Sequence, residues 1–152
     1  TIAIESNRWQ HYAVTFDGTY VTIYVNGSFA GRKEIATKVI NEGQFPYMSF
    51  MGVGGSNGTW APGDRWWYGC QTMTNEIRVW DVARSADQIA NSIKSVSPSS
   101  KGLVGYWRIS KGNYDASQRV FKNLAGDHHH LRTNKTFTWV ENVSSEDLST
   151  PW

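Results

Sequence analysis

One stretch, residues 75–108 (NEIRVWDVARSADQIANSIKSVSPSSKGLVGYWR), constrains the fold more than any other. Its first six residues alternate, with Ile77 and Val79 on one face and charged or aromatic side chains on the other. Such an alternation has the two-residue period of a β-strand. A second strand-like segment, residues 101–109, begins near the end of this stretch, and its glycines permit close approach of the backbone. The stretch therefore predicts two strands joined by a longer connection.

The connection between these strands carries a helix signal. Ser85 is suited to cap the helix, and Gln88 follows three positions later, which is the spacing of a capping box. Apolar residues then recur at helical spacing, and Pro98 marks the end inside a serine-rich run. The sequence therefore predicts one short helix near residues 86–95.

Residues 9–26 carry the clearest hairpin signal, because Asp17-Gly18 separates two alternating segments and favours a two-residue type I′ turn. The dipeptide Asn26-Gly27 predicts a second turn of this kind. The predicted partners are Tyr20 with Thr15, Val21 with Val14, Ile23 with Tyr12, and Tyr24 with His11. The predicted core face holds Tyr12, Val14, Phe16, Val21, Ile23 and Val25. The opposite face, which includes Tyr20 and Tyr24, is either a solvent-facing platform or is covered by a second layer or another domain.

Two of these segments resemble a known family. The segment EIRVWDVARSADQI followed by GLVGYWR resembles the late part of laminin-G-like and pentraxin-like domains of the concanavalin A-like lectin/glucanase superfamily. The segment WQHYAVTFDGTYVTIYVNG resembles the central hairpin of the same family. The resemblance implies an all-β, two-sheet antiparallel jelly-roll sandwich with one short helix. Its core or capping layer is expected to include Trp80, Trp107, Val79, Ile77, Val104, Val21, Ile23 and Val14.

The resemblance also suggests how the chain is organised. Residues 1–142 are expected to form the sandwich, with residues 128–140 as a last long strand, and residues 143–152 a linker or tail. Family members usually have several strands before the segment that matches residues 9–16. Those strands therefore lie on a preceding piece of the protein, or the sandwich is a reduced one. We expect the chain to be part of a longer protein.

Charge and hydropathy exclude two classes of partner. The 152 residues carry a net charge of +2 with no basic run, so nucleic acid is not an expected partner. No apolar run reaches the length of a membrane span and no signal peptide is recognisable, so no transmembrane segment is expected.

The single Cys70 cannot form an internal disulfide, and its expected role is that of a small buried side chain.

The aromatic content points to a ligand. With 8 Trp and 7 Tyr, the chain has more large rings than a core of this size needs, and an indole stacks well on a sugar ring. Three tryptophans fall in the predicted loop SNGTWAPGDRWW, residues 56–67, where binding residues are often found. The alternative is that these indoles fold back and close one end of the sandwich. The candidate ligand-binding residues are Trp60, Trp66 and Tyr24 for stacking, and Asn57, Asp64 and Arg65 for hydrogen bonds.

The sequence contains no recognisable catalytic pair. Retaining glycoside hydrolysis needs two carboxylates about 5 Å apart. The related glucanases supply them from an E-x-D-x-x-E strand, whereas here Glu76 is followed by the cationic Arg78. We therefore expect no catalytic residue in this chain, although a glycoside hydrolase is one parent protein that would fit.

Calcium is the one cofactor that the resemblance implies. Pentraxins and many laminin-G-like domains bind it through loop oxygens, and Asp115 matches the family's aspartate before a turn. The other oxygen donors in candidate loops are Asp64, Asn57 and Asp17. The preferred alternative is that Asp115 accepts backbone N–H groups of its own turn. The run His128-His129-His130 places at most two imidazoles on one face of a strand, so we interpret it as a polar strand start.

These observations predict a non-catalytic carbohydrate-binding module of a larger extracellular protein. Its partners would be a glycan and neighbouring domains of the same polypeptide, on a bacterial cell surface, in the periplasm or outside the cell. The alternative is a structural or protein-interaction module, whose aromatic surface packs against a neighbouring domain.

Overall fold

The computed structural model describes residues 8–35, 74–133 and 139 of the chain. The chain divides into two compact units, one of Thr1–Ala36 with Thr74–Trp152 and one of Thr37–Met73. All of the described residues lie in the first unit. In this part of the chain, no helix has the length and apolar character needed to cross a membrane.

The described residues form mostly β structure with one short α-helix. The strands fall into three antiparallel sheets, of order β1-β2-β3, β4-β5 and β6-β7-β8. The first five strands are β1 Tyr12–Phe16, β2 Tyr20–Val25, β3 Ser28–Glu34, β4 Glu76–Trp80 and β5 Leu103–Arg108. The last three are β6 Tyr114–Asp115, β7 Val120–Phe121 and β8 Leu131–Arg132. The helices are α1 Ala86–Ala90 and a 3₁₀ turn, Lys111–Asn113.

The first hairpin forms, but its predicted register is wrong by two residues. Phe16 lies opposite Val21 rather than Thr19, because the centre of the turn is Gly18-Thr19 and not Asp17-Gly18. The Asp17 carboxylate accepts the N–H groups of Thr19 at 2.9 Å and of the residue after it at 2.7 Å. With φ of 93° at Gly18 and no positive φ at Thr19, the turn has the φ signs of type II′. A shift of two residues leaves every side chain on its predicted face.

The second hairpin confirms the predicted turn and adds a bulge. Asn26 and Gly27 have φ of 51° and 79°, as a type I′ turn requires. Further along, Tyr24 lies opposite Phe29 while Ile23 lies opposite Gly31, so β3 contains one unmatched residue. One extra residue reverses the faces of all side chains beyond it.

The helix α1 confirms the predicted capping box and is shorter than expected. Ser85 Oγ accepts the Gln88 N–H at 3.2 Å, and Gln88 Oε1 accepts the Ser85 N–H at 2.9 Å. The helix ends at Ala90 because the Ser92 hydroxyl donates to the Gln88 carbonyl at 2.7 Å, in place of the Ser92 N–H. That N–H turns to the carbonyl of Ile89 instead.

The buried core of the described residues is centred on β5 and β7. It holds Ile89, Leu103, Tyr106, Trp107, Val120 and Phe121. The prediction is confirmed for Trp107, whose ring lies against Gly105. It is wrong for Val104, which is the unmatched residue of a second bulge and is 44% exposed, and for Val14 of β1, which is 66% exposed. The remaining expected core residues, Ile77, Val79, Trp80, Val21 and Ile23, are half-buried.

The predicted long strand over residues 128–140 is wrong where the structure describes it. Only Leu131–Arg132 forms a strand there, and His129 has φ of 59°. The carbonyls before this strand are held by side chains, because Asn123 Nδ2 donates to the His128 carbonyl and Trp107 Nε1 to the His129 carbonyl, each at 2.9 Å. Residues 134–138 and 140 lie outside the described residues.

Candidate functional site

A groove of ≈ 340 Å³ lies on the face of β1, β2 and β3 that the sequence left open between a platform and a covered face. We call it the Tyr24 groove. Its opposite wall is the loop after β4, including Arg84 and Ser85. The sheet and its first turn contribute Thr15, Asp17, Thr22, Tyr24, Phe29 and Arg32.

An aromatic pair lies in this groove. Tyr24 and Phe29 are cross-strand neighbours, and their ring centroids are 6.4 Å apart at an interplanar angle of 82°. This edge-to-face arrangement is a preferred one for aromatic rings. The Phe29 side chain is 64% exposed, so its apolar surface is open to solvent. The sequence predicted Tyr24 as a binding residue and missed Phe29, whose signal was an aromatic side chain directly after the Asn-Gly turn.

The bulge in β3 brings Arg32 into the groove. Arg32 lies opposite Thr22, and directly paired residues share a face of the sheet, so its side chain is on the Tyr24 side. Its guanidinium carbon lies 3.6 Å from the centroid of the Tyr20 ring and its Nη2 3.4 Å from the Asp17 carboxylate. Both contacts keep the guanidinium close to the sheet. The sequence did not predict Arg32, because its face depends on the bulge.

The one carboxylate that lines the groove is already engaged. The pKa of Asp17 is lowered, first by the N–H of Tyr20 and then by the N–H of Thr19, with a further contribution from the positive charge of Arg32. These hydrogen bonds favour the ionised form. Asp17 therefore acts as an anionic acceptor for its own turn.

A second groove of ≈ 310 Å³ adjoins helix α1, and we call it the Trp80 groove. Arg84 lines it as well as the Tyr24 groove. The guanidinium carbon of Arg84 lies 3.9 Å from the centroid of the Trp80 ring, and its Nη2 donates to the Gln88 carbonyl at 3.0 Å. The sequence placed Trp80 in the core or its capping layer, whereas the structure gives it a half-buried position under a cation.

The predicted loop site lies outside the described residues. This holds for Asn57, Trp60, Asp64, Arg65 and Trp66. Tyr24 is the predicted ligand-binding residue that the structure describes, and it lines a groove. The assignment of these six residues to a ligand stays a prediction.

Asp115 lies in the predicted turn and accepts three hydrogen bonds there. Its Oδ1 accepts the Ser117 N–H at 3.0 Å, the Ser117 hydroxyl at 2.6 Å and the Gln118 N–H at 3.1 Å. These bonds lower the pKa of Asp115, and the bond from the Ser117 hydroxyl has the largest effect. Within the described residues no group of three or more metal-binding side chains is found. Calcium needs six to eight oxygen ligands, so a bound ion would require many oxygens besides those of the Asp115 carboxylate. The assignment of Asp115 as a metal ligand stays a prediction.

A half-buried charge cluster lies on β4. Glu76 forms an ion pair with Arg78 and accepts the Tyr106 hydroxyl at 3.0 Å. Arg78 also donates to the carbonyl of Ile93 at 3.2 Å, just beyond helix α1. Burial, followed by the hydrogen bond from Tyr106 to Glu76, raises the pKa of that phenol. The Glu76 carboxylate is therefore engaged by Arg78 and Tyr106 of the sheet, and Arg78 joins the sheet to the segment after the helix.

The family of this chain follows from comparison with known proteins. The family model described as Laminin_G_3, of the concanavalin A-like lectin/glucanases superfamily, matches residues 1–90, more than half of the chain. The chain belongs to this superfamily. Membership agrees with the antiparallel sheets and the short helix, and it confirms the resemblance found in the sequence.

Two solved structures are similar to this superfamily member. A Bacteroides ovatus protein, provisionally named a carbohydrate binding protein, is 27% identical with a TM-score of 0.63, over 84% of this chain and 35% of that one. An S-layer domain-containing protein from Clostridium thermocellum is 28% identical with a TM-score of 0.43, over 60% of this chain and 42% of that one. The chain thus spans about a third of the length of the Bacteroides relative. Among curated proteins, none matches the chain.

Proposed function

We propose that this chain is a non-catalytic carbohydrate-binding module of a larger extracellular protein. The observation that carries the proposal is the open pair of Tyr24 and Phe29 in a groove with guanidinium groups. Lectins are part of the superfamily, and the Bacteroides relative bears a carbohydrate-binding name. A bacterial cell surface, the periplasm or the extracellular medium is the proposed location.

Binding in the Tyr24 groove would combine stacking with hydrogen bonds. The exposed Phe29 ring and the half-buried Tyr24 ring offer apolar surface for one face of a sugar. Thr15, Thr22 and Arg32 line the same groove and can hydrogen-bond sugar hydroxyls. A concave site with aromatic walls and a few polar groups is the usual form of a small-ligand site.

The finer architecture is part of the proposal. We propose that residues 1–142 complete a two-sheet jelly roll, in which loop 56–67 provides further ligand contacts, and that residues 143–152 form a linker or tail. Trp60 and Trp66 would add stacking surface. The proposed hydrogen-bonding side chains of this loop are Asn57, Asp64 and Arg65.

The chemistry of the described acids supports a binding rather than a catalytic role. Asp17 is the one carboxylate among the described residues that line either groove, and Glu76 is paired with Arg78. A retaining mechanism needs a second carboxyl group about 5 Å from the first, with a raised pKa on the acid. The pKa of Asp17 moves in the opposite direction.

A glycan array with matched aromatic variants tests this function. In Tyr24→Ala and Phe29→Ala, we expect binding to weaken by about tenfold, since an aromatic contact contributes roughly 1.4 kcal/mol. The matched control is Tyr12→Ala, because Tyr12 is 45% exposed on the opposite face of the sheet. If all three variants bind glycans as tightly as the parent chain does, the Tyr24 groove is not the binding site. Trp60→Ala and Trp66→Ala test the loop in the same way.

One observation favours a second candidate function, an interaction module. Val14 is 66% exposed and Tyr12 45% exposed on the face predicted to be core, and such apolar surface is suited to a neighbouring domain. In that case the isolated chain would aggregate, bind no glycan and become soluble together with its flanking domains. A monodisperse, glycan-binding chain would decide for the module proposed first.

A further inference from the structure

The lining of the Trp80 groove is cationic. Arg84 and Lys101 both line it, and none of its described lining residues is an aspartate or a glutamate. Four serines, Ser92, Ser95, Ser97 and Ser100, add polar groups. A concave surface with two positive charges and no negative side chain in its lining attracts anions.

The Tyr24 groove has a similar excess of positive charge. Arg32 and Arg84 line it, against the single carboxylate of Asp17. That carboxylate accepts two backbone N–H groups and contacts Arg32 at 3.4 Å. Arg84 has no ion-pair partner within the described residues. The unbalanced cation of this groove is therefore Arg84.

We propose that the two grooves together bind an acidic glycan chain, with Arg84 as the residue that selects for its negative groups. The proposal rests on the carbohydrate-binding function above and specifies its ligand class. The shared chemistry is an anionic group on a sugar, either the carboxylate of a uronate or a sulfate ester. Because Arg84 lines both grooves, it would contact a chain that extends from the Trp80 ring to the Tyr24 ring.

The position of Arg84 suits this role. Its guanidinium is held by the Trp80 ring and the Gln88 carbonyl, so little side-chain freedom remains to be lost on binding. A guanidinium presents a planar fork of donors that matches a carboxylate or sulfate. Burial, and then the positive charge of Arg78, lower the pKa of Arg84. The positive potential that disfavours a second cation here favours a ligand anion.

An array of neutral, uronate-containing and sulfated glycans tests the proposal, using the intact chain and Arg84→Gln. We expect acidic glycans to bind, neutral ones to bind weakly, and Arg84→Gln to weaken binding by about tenfold, the effect of losing one charge-assisted hydrogen bond. The uronate and sulfate arms distinguish the two sources of charge. Methyl esterification of a bound uronate chain should cause a similar loss, and affinity should fall as salt is raised.

Two variants separate charge from packing. Arg132→Gln removes an exposed arginine that lines neither groove and should bind as the parent chain does. Arg84→Lys keeps the charge without the fork, and we expect it to retain part of the affinity. Thermal melting of each variant shows whether the fold is kept. A loss of binding in Arg84→Gln that Arg84→Lys does not recover at all, with both folds intact, would overturn the role of charge.

The outcomes distinguish this inference from the function on which it rests. Binding only to neutral glycans would overturn the acidic ligand and leave the carbohydrate-binding function standing. Binding of acidic glycans by Arg84→Gln equal to that of the parent chain would overturn the selecting role of Arg84. No binding to any glycan would overturn both. Equal binding to single-stranded DNA of matched charge would overturn the inference in favour of a general polyanion surface.

Discussion

The side chain of Asn123 is the best place to test how this domain is held together. Asn123 is 7% exposed and its amide makes four hydrogen bonds to backbone groups. Its Oδ1 accepts the N–H of Tyr106 at 2.8 Å and of Ala125 at 3.0 Å. Its Nδ2 donates to the carbonyls of Val104 at 3.0 Å and His128 at 2.9 Å. One side chain thus joins the edge of β5 that faces away from β4 to the segment before β8.

Replacing Asn123 by alanine should cost about 3–4 kcal/mol of unfolding free energy. A hydrogen bond contributes about 1 kcal/mol net, and a buried group left without a partner costs about 1–3 kcal/mol. The N–H of Tyr106 belongs to a buried residue, so it would stay unsatisfied. The carbonyls of the exposed residues Val104 and His128 can instead accept hydrogen bonds from water. The expected loss of unfolding free energy is therefore smaller than four full penalties.

The isosteric Asn123→Asp gives a sharper test. It keeps one acceptor but turns a carboxylate oxygen towards the carbonyls of Val104 and His128, where a donor stood. We expect the burial and these dipoles to raise the pKa of the new carboxyl in the folded state. Its deficit against the parent chain should therefore be largest at neutral pH. The deficit should shrink as the pH falls through the raised folded pKa towards the unfolded value near 3.9.

Urea unfolding at constant m-value measures both variants. The matched control is Asn113→Ala, because Asn113 is half-buried and its Nδ2 makes one hydrogen bond, to the Ser110 hydroxyl at 2.9 Å. That change should cost about 1 kcal/mol or less. If Asn123→Ala costs no more than Asn113→Ala, the four-bond network does not hold the domain, and the reasoning fails.

Two further predictions concern protons and calcium. Burial, and then the charge of Arg78, lower the pKa of His11 from 6.5, and its Nδ1 has no hydrogen-bond partner within the described residues. As the pH falls, the unfolded chain therefore binds a proton at His11 before the folded chain does, so stability should fall between about pH 6.5 and the lower folded pKa. Urea unfolding at several pH values should show a flatter pH dependence for His11→Gln. An unchanged pH dependence would contradict the assignment of this effect to His11. The Asp115 carboxylate already accepts hydrogen bonds within its own turn. We therefore expect neither millimolar calcium nor a chelator to change the melting midpoint of the parent chain or of Asp115→Ala. A calcium-dependent rise that Asp115→Ala abolishes would instead establish Asp115 as a ligand.

Local signals in the sequence determined the elements of this fold. Asn26-Gly27 specifies its turn because both residues tolerate positive φ, and Ser85 with Gln88 starts helix α1 because their groups lie within one turn of each other. The alternation around Ile77 also predicts β4 from a few neighbouring residues. Tyr24 could be placed on the groove face for this reason, since a shift of two residues in register leaves that face unchanged.

Tertiary structure decided how these elements form a site. The bulge that carries Arg32 to the face of Tyr24 depends on how two strands fit together, and no turn signal or periodicity indicates it. Arg84 lines both grooves because the loop after β4 lies beside the first sheet, which is a contact between distant parts of the chain. Asn123 is of a residue type that is common in exposed turns, yet it is buried because its side-chain amide hydrogen-bonds the backbone of β5. Sequence patterns act over a few neighbouring residues, whereas burial and charge balance depend on which segments meet.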